Sequence, residues 1–287
     1  MKINCALPHV VAAITVACLA VSEPVAGQGV ADANGSGREA QRGDIALTLV
    51  LMTTDGGIAP NEPLLARVET INFSDAAVEL IAGNDKYPNP SWIITNSAGA
   101  PVALTPRRYG AQEGIVGVKT LLPRGRQSKY LVVSALYSFP SPGRYTVTIQ
   151  QNAIDAQKDE PPLATASASL TVLAPDAARV KARCDELFEP FVGMGKNSQY
   201  SVGLRAAALY SVRHDAVVPS LEWLAGNLGD AYACRALRRI NTPLANATLA
   251  KLAASTSEKV RKAVLSSLKR PFTDRPEDIE YGWAMGE

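Results

Sequence analysis

Histidine, cysteine and carboxylate side chains are the ones that could carry catalysis or hold a metal, and this chain gathers few of them. Of two histidines, His9 lies in the opening segment and His214 stands alone beside Asp215. A solitary histidine before an aspartate reads as a helix-start or solvent residue. A zinc site of the usual kinds would need Cys184, Cys234 and His214 to converge. No Gly-x-Ser-x-Gly elbow, Gly-x-x-x-x-Gly-Lys phosphate loop, His-Glu-x-x-His pair or Gly-x-Gly-x-x-Gly turn occurs. Asp155, Asp159 and Glu160 cluster, but beside Lys158 and ahead of Pro161-Pro162, the composition of a solvated loop without the alternating ligands of a calcium loop. The triplets Asn72-Phe73-Ser74 and Asn246-Ala247-Thr248 fit a glycosylation acceptor, a pattern with meaning only in a eukaryotic secretory pathway. The expectation is a protein that is not an enzyme, with no cofactor and no metal.

The elements that position these residues begin with an export signal. Lys2, an apolar run from Val10 to Val21, the breakers Ser22, Glu23 and Pro24, and small residues at Ala26 and Gly27 follow the order of a secretory signal peptide. That run is about a dozen residues, against the roughly 20 of a membrane-spanning helix, so no transmembrane span is expected. Residues 1–27 are then removed and the mature chain is periplasmic or extracellular. Thr15-Val16-Ala17-Cys18 loosely resembles a bacterial lipoprotein processing site, which makes a lipid anchor on Cys18 the alternative. Cys5 and Cys18 fall within the signal, leaving Cys184 and Cys234, either bridged as a disulfide or both buried as thiols.

Residues 28–43 are small, polar and aperiodic, a flexible linker. From Asp44 the period becomes two. Tyr145, Val147 and Ile149 alternate with Thr146, Thr148 and Gln150, and Ala166, Ala168, Leu170 and Val172 alternate with Ser167, Ser169 and Thr171. Further strands are predicted over Ile45–Met52, Leu64–Ile71, Ala77–Ala82, Trp92–Thr95, Ile115–Leu121 and Ser128–Leu136, separated by turns such as Asp55-Gly56-Gly57 and Pro142-Gly143. The stretch Pro142-Gly143-Arg144-Tyr145-Thr146-Val147 resembles the late strands of bacterial secreted immunoglobulin-like domains. That resemblance implies an immunoglobulin-like β-sandwich over 44–174, with Tyr145 as a corner residue whose hydroxyl bonds to the backbone upstream.

After Ala174-Pro175 the period turns helical, and the chain repeats itself at an offset of 28 residues. Leu204, Leu209 and Val212 recur as Tyr232, Leu237 and Ile240, then as Val260, Leu265 and Leu268. Leu221, Leu224 and Ala225 recur as Leu249, Leu252 and Ala253. Helix starts are read at Asp215, at Thr242-Pro243 and in the box Ser255-Thr256-Ser257-Glu258, with Asp176–Glu189 as an N-terminal capping helix. These pairs resemble short HEAT-like repeats. The resemblance implies a multidomain chain, all-β then all-α, in which 175–271 form a HEAT-like array that binds proteins, followed by an acidic tail at 272–287.

Charge is uneven. Residues 176–270 carry 15 basic against 8 acidic residues, while the last 17 residues carry one arginine against five acids. In an exported chain that surplus points to an acidic protein partner, or to the acidic tail itself folding back, and not to nucleic acid. On the helix after Asp215, at 100° per residue, Val217, Val218, Leu221, Leu224 and Ala225 fall within about 120° and Trp223 lies nearly opposite. The equivalent of Trp223 in the next repeat is Lys251. Trp223 is therefore expected to face away from the repeat core, packed on the sandwich, covered by the tail around Tyr281 and Trp283, or anchoring a partner with Arg213, Arg238, Arg239 and Lys251. The expected function is an exported adaptor or scaffold. The alternative is a ligand-binding or protease-inhibitor-like sandwich acting through loops 84–90 and 105–114, with Tyr87, Arg107, Arg108 and Tyr109.

Overall fold

The computed structural model describes residues 38–54, 56–81, 91–102, 118–139, 141–154, 160–192 and 199–269. The signal segment with Cys5 and Cys18, the two loops of the alternative reading, Asp155, Asp159 and the acidic tail lie outside the described residues. Among those described, no helix is long and apolar enough to cross a membrane.

The chain divides into a β part and a helical part. The strands are β1 (Arg38–Glu39), β2 (Ile45–Met52), β3 (Leu65–Asn72), β4 (Val78–Ile81), β5 (Ser91–Asn96), β6 (Val118–Leu121), β7 (Arg126–Val132), β8 (Gly143–Gln151) and β9 (Ala164–Val172). They form three three-stranded sheets, β1-β4-β6, β2-β3-β7 and β5-β8-β9. Period-two patterning places Tyr145, Val147 and Ile149 inward on β8, and they meet Leu170 and Val172 of β9 and Ala66 and Val68 of β3 in the core. The Tyr145 hydroxyl donates to the carbonyl of Ser141 at 2.8 Å, the upstream bond expected of a corner tyrosine.

Two expectations give way here. Residues 38–43 are not all linker, because β1 pairs in parallel with β4 and Ala40 is buried beside Val78 and Leu80. The strand expected to reach Leu136 stops at Val132. The backbone then turns as a 3-10 helix over Val133–Ala135, which puts the Ser134 hydroxyl 3.0 Å from that of Ser211 in the helical part.

Four residues, 173–176, join β9 to the helices. These are α1 (Ala177–Val192), α2 (Gln199–Ser211), α3 (Val218–Leu228), α4 (Ala231–Ile240), α5 (Pro243–Ala253) and α6 (Glu258–Lys269), with a 3-10 turn at Asp215–Val217 leading into α3. Helices α2, α4 and α6 stand side by side in one layer, and α1, α3 and α5 in the other. Side chains cap the starts of α1, of the 3-10 turn before α3, of α4 and of α5. Asp176 accepts from the amides of Ala178 and Arg179, His214 Nδ1 from Ala216 at 3.0 Å, Asp230 from Tyr232 and Ala233, and Thr242 from Ala245. His214 is thus a helix-start residue. The capping box read at Ser255 lies two residues early, since α6 begins at Glu258 and Ser255 instead accepts from the Ser257 amide. Helices α3 and α4 end on left-handed residues, Gly229 (φ 63°) and Asn241 (φ 53°), the types that adopt this conformation at least cost.

The two parts share one hydrophobic core. Ala59, Leu65, Val132 and Ala135 of the β part cluster with Val180, Cys184, Leu187 and Leu209 of the helices. Polar ties reinforce the seam: Arg183 donates to the Met52 carbonyl at 3.2 Å, and Arg179 reaches into the loop before β3. Cys184 and Cys234 are both buried free thiols, so of the two alternatives the disulfide is not the one formed.

Candidate partner surface

Five helical residues carry the expected surface, and the fold separates them. The stripe on the second helix is as expected: Val217, Val218, Leu221, Leu224 and Ala225 are buried. Trp223 does not stand free opposite them. It is half-buried, with its ring edge-on to Phe188 of α1 at 5.4 Å, and Phe188 in turn stacks on Phe191 at 5.8 Å. The neighbour seen against the indole is α1, which lies beside α3 in the same layer, and the tail around Tyr281 and Trp283 lies outside the described residues. The wheel shows only which face turns from the helix's own core, not which neighbour covers that face.

Lys251 is exposed on α5 and pairs with Glu222 at 2.5 Å, next to Trp223 in sequence. Trp223, Glu222 and Lys251 therefore occupy the outer face of the α1-α3-α5 layer. Arg238 and Arg239 belong to the other layer and are turned into it. Arg238 Nη1 donates to the Ser267 carbonyl at 2.8 Å, and Arg239 Nη2 donates to the Tyr210 carbonyl. Both acceptors lie in the last turns of α6 and α2, where carbonyls lack intrahelical partners and the helix dipole favours a cation. The two arginines are thus structural ties. Arg213, just past α2, is exposed.

All three ties, Arg238–Ser267, Arg239–Tyr210 and Lys251–Glu222, span 29 residues, one more than the repeat offset. The sequence reading missed Phe188 and Glu222. The signal for Glu222 was present in its charge, opposite to that of Lys251 one repeat on. The α2-α4 layer holds a further cluster: Tyr210 and Tyr232 stack at 6.2 Å, the Arg235 guanidinium lies 5.0 Å above the Tyr232 ring, and the Tyr210 hydroxyl donates to Asp230. Burial and the nearby Asp230 carboxylate push the Tyr210 phenol well above its ordinary pKa.

Among the described residues no three His, Cys, Asp or Glu side chains are grouped to hold a metal ion. Burial pushes the Cys184 and Cys234 thiols up to about 12, so neither is a nucleophile near neutral pH. Asn72, the first glycosylation triplet, is fully buried and its Nδ2 donates to the carbonyls of Ala76, Leu121 and Leu122 at 2.8, 3.2 and 2.9 Å, which leaves that nitrogen inaccessible.

No family model matches this chain, and no curated protein matches it. Solved structures similar to part of it include the CARDB domain of the PF1109 protein from Pyrococcus furiosus in complex with di-metal ions, 9% identical over 50% of this chain and 98% of that one, with a TM-score of 0.24. Another comes from the AAF fimbriae of enteroaggregative Escherichia coli, 14% identical over 45% and 98%, TM-score 0.23. A third is BslA, a bacterial hydrophobin, 12% identical over 48% and 99%, TM-score 0.21. At these identities and scores the likenesses identify neither a relative nor an activity.

Proposed function

We propose that this chain is an exported, non-enzymatic adaptor in which an immunoglobulin-like β-sandwich carries a short HEAT-like array, and the array grips an acidic protein partner across the outer face of α3 and α5. The observation that carries this reading is the shared core at the seam, where Ala59, Leu65, Val132 and Ala135 pack among helix residues. A packed seam of this kind holds the helices at one orientation to the sandwich, which suits a part whose task is presentation. Support for the face comes from the half-exposed indole of Trp223 beside the Glu222–Lys251 pair, since tryptophan set in a polar rim is the composition of a binding hot spot. The basic surplus of the helices favours an acidic partner.

The test is a pull-down from an envelope fraction with the full mature chain and with Trp223→Ala and Lys251→Glu variants of it. Partner recovery should fall at least tenfold with Trp223→Ala and several-fold with Lys251→Glu. A partner retained by both variants would move the site off this face.

A further inference from the structure

Away from the helices the inner face of the β part turns polar, and register fixes which side chains share that face. On β3 and β7, Ala66 lies opposite Leu131, Val68 opposite Lys129 and Thr70 opposite Gln127. Val68 and Leu131 are core residues, so Lys129 and Gln127 stand on the inner row with them. On β4 and β6, Val78 lies opposite Leu121 and Leu80 opposite Lys119. Val78, Leu80 and Leu121 are core residues too, which puts Lys119 on the inner row of β6.

Lysines 119 and 129 are both half-buried. Burial, and after it the charge of Lys119, lowers the pKa of Lys129 below the ordinary lysine value. The Gln127 Nε2 is buried and has no hydrogen-bond partner among the described residues. The two carboxylates of these four strands, Glu69 and Glu79, stand on the outer rows, opposite Ser128 and Thr120. Neither offsets the lysines from within.

Inward lysines guard free sheet edges against pairing with other chains, and β6 and β7 are both edges. A guard explains a lysine on each edge. It does not explain a buried amide beside them with no acceptor, a group whose desolvation costs about 1–3 kcal/mol. An oxyanion answers both features, because it accepts from the amide and offsets two cations at once. Lys129 has contacts of its own, but an ammonium has three donors, so a ligand oxygen adds to those contacts without displacing them.

We propose that Lys119, Lys129 and the Gln127 amide form a binding site for a small oxyanion, a carboxylate or a phosphoryl group, at the inner edges of β6 and β7. The site belongs to the β part and is independent of the partner face at Trp223.

The experiment is an NMR titration of the full mature chain with carbon-13-labelled lysine, the Lys129 signal being assigned with a Lys129→Met variant. Inorganic phosphate or sodium acetate is added against sodium chloride of equal ionic strength. At least one of the two should shift the Lys129 signal saturably and raise the pKa read from its pH titration, because a bound anion favours the ammonium. A response to phosphate identifies a phosphoryl ligand and a response to acetate a carboxylate. Lys119→Met should weaken the binding by at least about tenfold and Gln127→Leu several-fold. Neither substitution should lower the melting temperature of the free chain, since each removes a polar group from the inner face. No saturable shift with either probe in the unaltered chain would overturn the proposal. So would a shift that sodium chloride alone reproduces, or binding that survives Lys119→Met unchanged.

Discussion

Arg179 of α1 and Glu62 of the loop before β3 form an ion pair across the seam between the two parts, Nε to Oε2 at 2.7 Å, with the Glu62 side chain 1% exposed. The guanidinium also donates to the Gly57 carbonyl at 2.6 Å, and the carboxylate accepts from the Ala59 amide at 2.8 Å and the Thr54 hydroxyl at 3.1 Å. A buried carboxylate stripped of its cation is left uncompensated, so Arg179→Ala should lower the unfolding free energy by about 3–5 kcal/mol. Glu62→Gln in the same background should recover part of that loss. Urea unfolding checks both, and a loss under about 1 kcal/mol would rank the pair with exposed ones.

Trp223→Ala should lower stability by about 1–2 kcal/mol, between a surface and a core substitution, because the ring is half-buried against Phe188. Phe188→Ala should shift the emission of Trp223 to longer wavelength by wetting the indole. No shift, read against a Trp223→Phe control, would mean the edge-on contact does not shield the ring.

Cys184 and Cys234 should resist alkylation in the native protein and react once it is unfolded. Their folded values of about 12 lie above the ordinary 9.0, chiefly because burial disfavours the thiolate. Between these values the unfolded chain has released protons that the folded chain still holds, so stability falls as pH rises. The slope is about 1.4 kcal/mol per pH unit for each thiol, and the contribution is fully present below pH 9. Chemical unfolding from pH 8 to 11 should show a shallower decline for the Cys184→Ala, Cys234→Ala double variant than for the unaltered chain.

Asn72→Ala removes the donor shared by three carbonyls at the exit of β3, and the Leu121 carbonyl is buried there. A loss of about 2–4 kcal/mol is expected in thermal or denaturant unfolding. Asn72→Asp should be no milder, since a carboxylate cannot donate.

Arg239→Ala should cost about 1–2 kcal/mol by releasing the last turn of α2, whereas Arg213→Ala should stay within about 0.5 kcal/mol. Equal effects in denaturant unfolding would erase the distinction between an inward tie and a surface charge.

Local features were legible in the sequence because they depend on residues close by. The corner bond of Tyr145 reaches four residues, the His214 cap two, and the stripe from Val217 to Ala225 lies on one helix. What the sequence concealed is non-local. Glu62 and Arg179 are 117 residues apart, and the Trp223–Phe188 contact depends on α1 lying beside α3. Leu265 and Leu268 matched the repeat yet stand in water, since periodicity reports which face is apolar and not whether a neighbour arrives to cover it. β1 is two residues long, too short for any period to show.

The constant 29-residue span of the ties across the paired helices makes the array tolerant of some genetic changes and intolerant of others. Tandem duplication of a whole 28-residue unit would import its own Arg238 and Arg239 in phase, so lengthening requires no redesign. Loss of a single codon inside α4, ahead of Arg239, would turn that guanidinium by about 100° around its helix and away from the Tyr210 carbonyl.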